Sequence, residues 1–88
     1  MIVALQTLLP AKGGGYQWFP ASMDADTLAD VLAIVSTEAF VMVTRHRVDM
    51  TDDRSCFAVR SSEDMVINTG QIAAVSLLSR PLIGVDDD

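Results

Sequence analysis

Three arginines on two neighbouring apolar segments are the residues best placed for chemistry in this sequence. Arg45 and Arg47 alternate within Ala39–Val48, and Arg60 lies in Ser55–Ser61. Like charges held together on one face of a sheet repel each other unless an anion or carboxylates lie between them. The trio therefore predicts either the contacts of a small anionic ligand or a solvated, salt-bridged face. For the second alternative, the nearby carboxylates are those of Asp49, Asp52, Glu63 and Asp64.

The only histidine and the only cysteine lie close to these arginines in the chain. We expect the two segments to pair as antiparallel strands with Val48 opposite Ser55, which puts Phe57 opposite His46. His46 and Cys56 then point to opposite faces of the sheet, so they do not suit a Cys-His nucleophile pair. We predict a packed side chain for His46 and a small buried hydrophobe for Cys56.

Other catalytic patterns are absent from the sequence. Asp52 and Asp53 lie in a polar loop, where no apolar pocket would raise the pKa of either carboxyl. No serine stands in a GxSxG turn, and the glycine run at 13–15 has neither of the phosphate-loop spacings. We therefore predict a non-catalytic protein without a cofactor or a metal site.

The element that organises the rest of the sequence is a predicted hairpin within Asp64–Ser79. A polar turn, Asn68–Gln71, separates two apolar runs, and Gly70 can take the positive φ that a tight turn requires. The apolar residues on either side are Met65, Ile67, Ile72, Ala74, Val75 and Leu77.

The N-terminal segments predict a strand followed by a loop. Met1–Leu9 is apolar on both alternating faces, as in a strand that is covered on both sides. Residues 11–20 contain three successive glycines and then the aromatic side chains of Tyr16, Trp18 and Phe19. The aromatic residues are interpreted as a lid over the core, a subunit contact or a ligand-stacking surface, with Tyr16 and Trp18 as the ligand contacts in the last case.

One helix is predicted over Met23–Thr37, with Ser22 or Asp24 as its N-cap. An alternative is that Val31–Val35 already belongs to a strand, because β-branched residues accumulate there. The helical face that would be buried consists of Leu28, Val31, Leu32 and Val35, with Ala25, Ala29 and Ala33 beside them.

Length and composition favour a small domain that associates with itself. The chain has 88 residues, half of them hydrophobic, and one core of this size is marginal without a disulfide or a metal. We predict the α+β class, with one short helix packed on a strongly bent, mostly antiparallel sheet of five or six strands or a small barrel. A single domain spans 1–85, and an acidic, disordered tail spans 86–88.

The distribution of charge narrows the choice of partners. The formal net charge is −6, and the sheet segments carry no basic excess of the kind that phosphate-backbone binding requires. Asp24, Asp26 and Asp30 cluster around the helix, where they could meet a basic partner surface. No apolar run is long enough to span a bilayer, and a single cysteine fits the reducing cytoplasm.

The C-terminal run DMVINTGQIAAVSLLSRP, residues 64–81, resembles the closing strands of the Sm-like family of the Hfq/LSm type. The resemblance covers the motif from Met65 to Pro81. It implies a strongly bent small barrel that forms rings through strand-edge pairing. The family's RNA contacts do not carry over, because Ile67, Asn68 and Thr69 stand where the Hfq type has Tyr-Lys-His.

Two classes of function follow from these observations. The first is a non-catalytic, homo-oligomeric binding and assembly module that holds a small anionic ligand or a partner at subunit junctions. The second is an acidic inhibitor or adaptor, of the kind that small phage proteins provide, that docks on a basic surface of another protein.

Overall fold

The computed structural model of the protein describes residues 1–84. The elements are β1 (Ile2–Pro10), β2 (Tyr16–Ser22), α1 (Leu28–Thr37), β3 (Phe40–Met50), β4 (Phe57–Asn68), β5 (Ile72–Leu77) and β6 (Leu82–Ile83). The strands form one mixed, six-stranded sheet in the order β5-β1-β2-β3-β4-β6, in which only the β4–β6 pair is parallel. This confirms the predicted α+β class. The predicted tail, Asp86–Asp88, lies outside the described residues.

The connection between β5 and β6 requires the sheet to bend. Leu77 ends β5 at one edge of the sheet, and Leu82 begins β6 at the other edge. Five residues span at most about 18 Å, whereas the outer strands of a flat six-stranded sheet lie roughly 24 Å apart. The sheet therefore curls, although no pairing between β5 and β6 closes it within residues 1–84.

Alternating side chains of the strands build one core on the face that α1 covers, which we call the inner face. Val3 and Leu5 of β1 pair with Ala21 and Phe19 of β2 on this face, and all four are buried. The core also contains Met23, Val31, Val43 and Ile67. The opposite, outer face carries the intervening side chains and has no helix over it among the described residues.

The helix is shorter than predicted. It begins at Leu28, and its N-cap is Thr27, whose hydroxyl accepts a hydrogen bond from the Asp30 N–H at 3.1 Å. Neither Ser22 nor Asp24 caps it, because Ser22 still belongs to β2 and the N–H of Met23 donates to the carbonyl of Met1. The alternative of a strand at residues 31–35 is wrong.

The predicted aromatic loop is largely a strand. Residues Tyr16–Ser22 form β2, because Phe19 and Trp18 pair with Leu5 and Gln6 of β1. The loop reduces to a turn in which Gly14 takes φ 102°. A positive φ there needs a residue without a Cβ, and glycine satisfies it.

The predicted hairpin at Asn68–Gln71 is wrong. Residues Phe57–Asn68 form one long strand, β4, and β5 pairs with β1 instead of β4. The side chain of Asn68 accepts from the Gly70 N–H at 2.9 Å and starts a 3-10 turn at Thr69–Gln71. This turn carries the chain across the bent sheet to its other edge.

Strands β3 and β4 form the longest hairpin, with a different register from the one predicted. Val48 pairs with Val59, and His46 pairs with Ser62. Pairing shifts after Arg47–Ser61, so that Arg60 is the extra residue of a β-bulge. The hairpin loop, residues 51–56, is longer than a tight turn and displaces the partner of every residue on β3.

Candidate functional site

Strands β2 and β3 separate soon after they meet. They pair only at Ala21–Arg45 and Ser22–Thr44, although both continue as strands towards Tyr16 and Met50. The space between them is a surface cleft of about 360 Å³, which we call the arginine cleft. Its lining residues are Trp18, Phe19, Pro20, Arg45, His46, Arg47, Val48 and Arg60.

The three predicted arginines all line this cleft, and two carboxylates partly neutralise them. Nη1 of Arg45 lies 4.0 Å from Oε1 of Glu63, and Nη2 of Arg47 lies 3.7 Å from the same oxygen. Nε of Arg60 lies 3.2 Å from Oδ2 of Asp49. Both distances to Glu63 are too long for hydrogen bonds. Three guanidinium groups and two carboxylates leave one net positive charge at the cleft.

Arg45 is held by an aromatic ring as well as by charge. Its Cζ lies 4.8 Å from the centroid of the Phe19 ring, within the range of a cation–π interaction. Its Nε is buried and has no hydrogen-bond partner among the described residues. The guanidinium is thus fixed in position while donors remain unused.

His46 is buried and bridges three strands. It is only 3% exposed, and its two ring nitrogens lie 2.7 Å from the hydroxyl oxygens of Ser22 on β2 and Ser62 on β4. Burial lowers the pKa of His46 below its ordinary value. A neutral imidazole can donate to one hydroxyl and accept from the other. His46 is therefore a packed side chain, as predicted, and its lowered pKa favours the neutral imidazole.

Trp18 presents a half-exposed indole to the arginine cleft. Its ring meets the buried Phe57 ring edge to face, with centroids 6.0 Å apart and an interplanar angle of 61°. Phe57 is approached by the guanidinium of Arg80, which is fixed by a 2.7 Å hydrogen bond from Nε to the carbonyl of Arg54. Tyr16, the other predicted stacking residue, is also half exposed but does not line this cleft.

The remaining candidate groups have local structural contacts. Cys56 is partly exposed in the loop before β4, and its sulfur accepts from the Ser55 hydroxyl at 3.5 Å, so the predicted burial is wrong. Asp53 accepts from the Ser55 N–H, the Ser55 hydroxyl and the Thr51 hydroxyl, and these bonds lower its pKa to about 2. A carboxylate that stays ionised and organises its own loop is a poor general acid.

The acidic residues predicted as partner contacts lie around the start of α1. Asp24 and Asp26 precede the helix and Asp30 is in its first turn, and all three are exposed. Within residues 1–84 none of the three forms an ion pair. They form an accessible acidic surface around the N-terminal end of α1.

Sequence reasoning identified most of the polar groups of the cleft. It named Asp49 and Glu63 among the carboxylates available to the arginines, and both form ion pairs there. Asp64 does not, because it accepts from the hydroxyl of Thr44 at 2.7 Å. The contact between Phe19 and Arg45 was missed, and only the pairing of Ala21 with Arg45 would have indicated it.

Residues 1–84 contain no group of three or more His, Cys, Asp or Glu side chains placed to hold a metal ion. None of the helices in that range has the length and apolar character needed to cross a bilayer. The chain matches no family model, no curated protein and no solved structure.

Proposed function

We propose that this protein is a non-catalytic, homo-oligomeric binding and assembly module whose copies join through the edges of β4 and β5. The observation that carries the proposal is the state of these two edges. On its outer side β4 pairs with β6 only at Phe57 and Ala58, and β5 pairs only with β1 within residues 1–84. Unpaired N–H and C=O groups along a strand form a template for pairing with another chain.

Exposed apolar side chains lie next to these edges. Phe40 and Met42 on β3 and Val66 on β4 are 61%, 67% and 60% exposed and are neighbours on the outer face; we call them the apolar patch. Leu77, at the end of β5, is 62% exposed. Contiguous apolar patches on monomeric proteins are usually small, and larger ones mark interaction sites. Val66 lies on the edge strand itself, so a strand that pairs with β4 would contact it, while Met42 and Phe40 lie one strand further in on the same face.

Charge on β4 indicates which part of the edge would pair. Its middle carries Arg60, Glu63 and Asp64, and charged side chains on an edge strand disfavour pairing. Its last residues, Met65–Asn68, carry no charge. We expect the neighbouring copy to pair along this uncharged end.

The geometry of such a contact makes it directional. Pairing of β4 of one copy with β5 of the next is heterologous, so it closes into a ring or continues as a fibre. A ring is the outcome that the resemblance to the Sm-like family implies. In this proposal the arginine cleft holds the small anionic ligand, and its Arg60 lies on β4, the strand whose uncharged end forms the junction between copies. The module would act in the cytoplasm, where a single reduced cysteine is stable.

The second function, docking of an acidic inhibitor or adaptor on a basic partner, has one observation in its favour. Asp24, Asp26 and Asp30 are exposed and make no ion pair within the described residues. A monomeric state in solution would favour this function, because the acidic surface is complete in one copy.

The test is the mass of the protein in solution together with a matched pair of lysine variants. Size-exclusion chromatography with light scattering should give an integer multiple of the 9.5 kDa chain mass for the unmodified protein. Val66→Lys should shift the mass towards that of one chain at a higher protein concentration than the unmodified protein requires. Leu32→Lys, which adds the same charge at a half-exposed site on α1, should leave the mass unchanged.

The size of the effect follows from the exposed areas. Full burial of a large apolar side chain stabilises by about 1.5–3 kcal/mol, so a side chain that is 60% exposed in one copy would gain about 1–2 kcal/mol at a contact. Losing Val66 and burying a lysine there should weaken each contact roughly tenfold or more. A Val66→Lys protein with an unchanged mass would contradict the proposed contact. Circular dichroism of both variants establishes that each has folded.

A further inference from the structure

We propose that the arginine cleft binds a nucleoside monophosphate or a closely similar phosphorylated aromatic compound. The phosphate lies between the guanidinium groups of Arg45 and Arg47, and the ring lies against Trp18. This inference deepens the proposed function and rests on it for the role of the cleft as the ligand site of the module.

The phosphate position follows from unused donors. Each guanidinium offers five N–H donors, yet those of Arg45 and Arg47 make no hydrogen bond within residues 1–84 and share one oxygen of Glu63 at 4.0 and 3.7 Å. Two like charges at neighbouring positions of one strand face repel each other, and one distant carboxylate compensates them only in part. Phosphate oxygens accept paired N–H donors from arginine at shorter distances, so a phosphate satisfies both side chains.

The position of the ring follows from Trp18. One side of its indole is occupied by the edge-to-face contact with Phe57, which holds the ring in place. The residue is 51% exposed, and it lines the arginine cleft as well as a smaller cleft over β1 and β5. A partly exposed aromatic ring in the same cleft as a phosphate position is the combination that binds a base and its phosphate together.

Size and charge limit the ligand to a single nucleotide unit. The cleft, at about 360 Å³, is at the small end of the range for ligand pockets, which is roughly 300–1,000 Å³. Glu63 and Asp49 leave a net charge of one at the cleft, and the whole chain carries −6. A polymer with many phosphates would meet repulsion from the rest of the surface, whereas one phosphate is attracted locally.

The test uses Trp18 as the reporter, because it is the only tryptophan in the chain. The probes are AMP, UMP, inorganic phosphate and adenosine. AMP and UMP should quench the fluorescence with saturation, and inorganic phosphate should displace them. Adenosine, which lacks the phosphate, should bind at least about tenfold more weakly than AMP.

Variants with matched controls separate the cleft from general charge effects. Arg47→Gln should weaken AMP binding about tenfold or more, and its side chain is 61% exposed, so the fold does not depend on it. Lys12→Gln removes the same charge in the exposed β1–β2 turn and should leave the affinity unchanged. Trp18→Leu, followed by calorimetry, should weaken AMP binding about tenfold while inorganic phosphate binds as before.

Three results would overturn the inference. They are no saturable quenching by AMP or UMP up to about 5 mM, equal affinity of unmodified protein and Arg47→Gln, and tighter binding of a single-stranded oligonucleotide than of its mononucleotide. Light scattering on the same samples separates this inference from the proposed function. An oligomer that binds no nucleotide refutes the ligand alone, and a monomer that binds AMP refutes the assembly alone.

Discussion

The hydrogen bonds of His46 give the sharpest prediction about stability. The imidazole lies between the hydroxyls of Ser22 and Ser62 and joins the two strands on either side of β3. Replacing it with glutamine keeps a neutral group that can donate and accept at once, and removes the only side chain that titrates near pH 6.5. His46→Gln therefore separates the packing of this position from its protonation.

The sign of the pH effect follows from burial. Burial lowers the pKa of His46 in the folded protein below 6.5, the ordinary value that the unfolded chain retains. Between those two pKa values the unfolded chain binds a proton that the folded chain does not, so acid favours unfolding. The stability contributed by the neutral imidazole is complete above about pH 6.5 and declines as the pH falls towards the lowered pKa.

The magnitude has an upper limit set by one proton. Consider a histidine that stays neutral in the folded state. Lowering the pH from 7.5 to 5.5 then reduces the unfolding free energy by at most about 1.4 kcal/mol. Carboxylates contribute little to the change in unfolding free energy over this pH range, and the pKa of Asp53 is lowered to about 2. We expect the unmodified protein to lose a measurable part of this amount, and His46→Gln to lose almost none.

Urea unfolding at both pH values, at one fixed protein concentration, measures the difference. The concentration must be fixed because the apparent stability of an oligomer depends on it. If the unmodified protein and His46→Gln show the same change in unfolding free energy between pH 7.5 and pH 5.5, the reasoning about His46 is wrong.

Two further substitutions test the core and the helix cap. Leu5→Ala, at a fully buried core position, should lower the unfolding free energy by about 2–5 kcal/mol. Leu9→Ala, at a half-exposed site, should lower it clearly less. Similar urea midpoints for the two variants would contradict the assignment of the inner face. Thr27→Ala should lower the unfolding free energy by about 0.5–2 kcal/mol, because the hydrogen bond from the Asp30 N–H is lost. Thr27→Asn should retain most of this stability, because asparagine is also a favourable N-cap. Equal losses for both variants would show that Thr27 does not act as a cap.

Local patterns in the sequence predicted which residues share a face of a strand. The alternation of Val41 and Val43 with Phe40 and Met42 is the same in the structure, because successive side chains of any strand point to opposite sides. The helical spacing of Leu28, Val31 and Val35 also predicts the structure correctly, because these residues lie on α1 and face the core. Leu32 remains 46% exposed because the buried stripe is narrower than its neighbours in sequence suggest.

Pairing between distant segments could not be read from the same patterns. Asn68–Gln71 has the composition of a hairpin turn, but β5 pairs with β1, about seventy residues earlier in the chain. The choice between those two edges depends on the bend of the whole sheet. The register of β3 with β4 likewise depends on a long loop and on the bulge at Arg60, neither of which leaves a regular signal in the sequence.

The arginine cleft could be predicted only in part from the sequence. Arg45 and Arg47 were predictable as side chains on one face because they are two residues apart on one strand. The cleft itself exists because β2 and β3 separate after two paired positions, and Trp18 lines the space between them. This separation depends on the assembled sheet and could not be predicted from local sequence. The resemblance to the Sm-like family likewise stays a prediction.

The central claim is that one copy leaves the edges of β4 and β5 for other copies to cover. Its most direct test is the mass of the unmodified protein by light scattering at low and at high salt, over a range of concentrations. We expect one discrete mass, a multiple of 9.5 kDa, that salt does not change, because apolar contacts and backbone hydrogen bonds hold the copies together. A stable, folded single chain of 9.5 kDa at every concentration would contradict it.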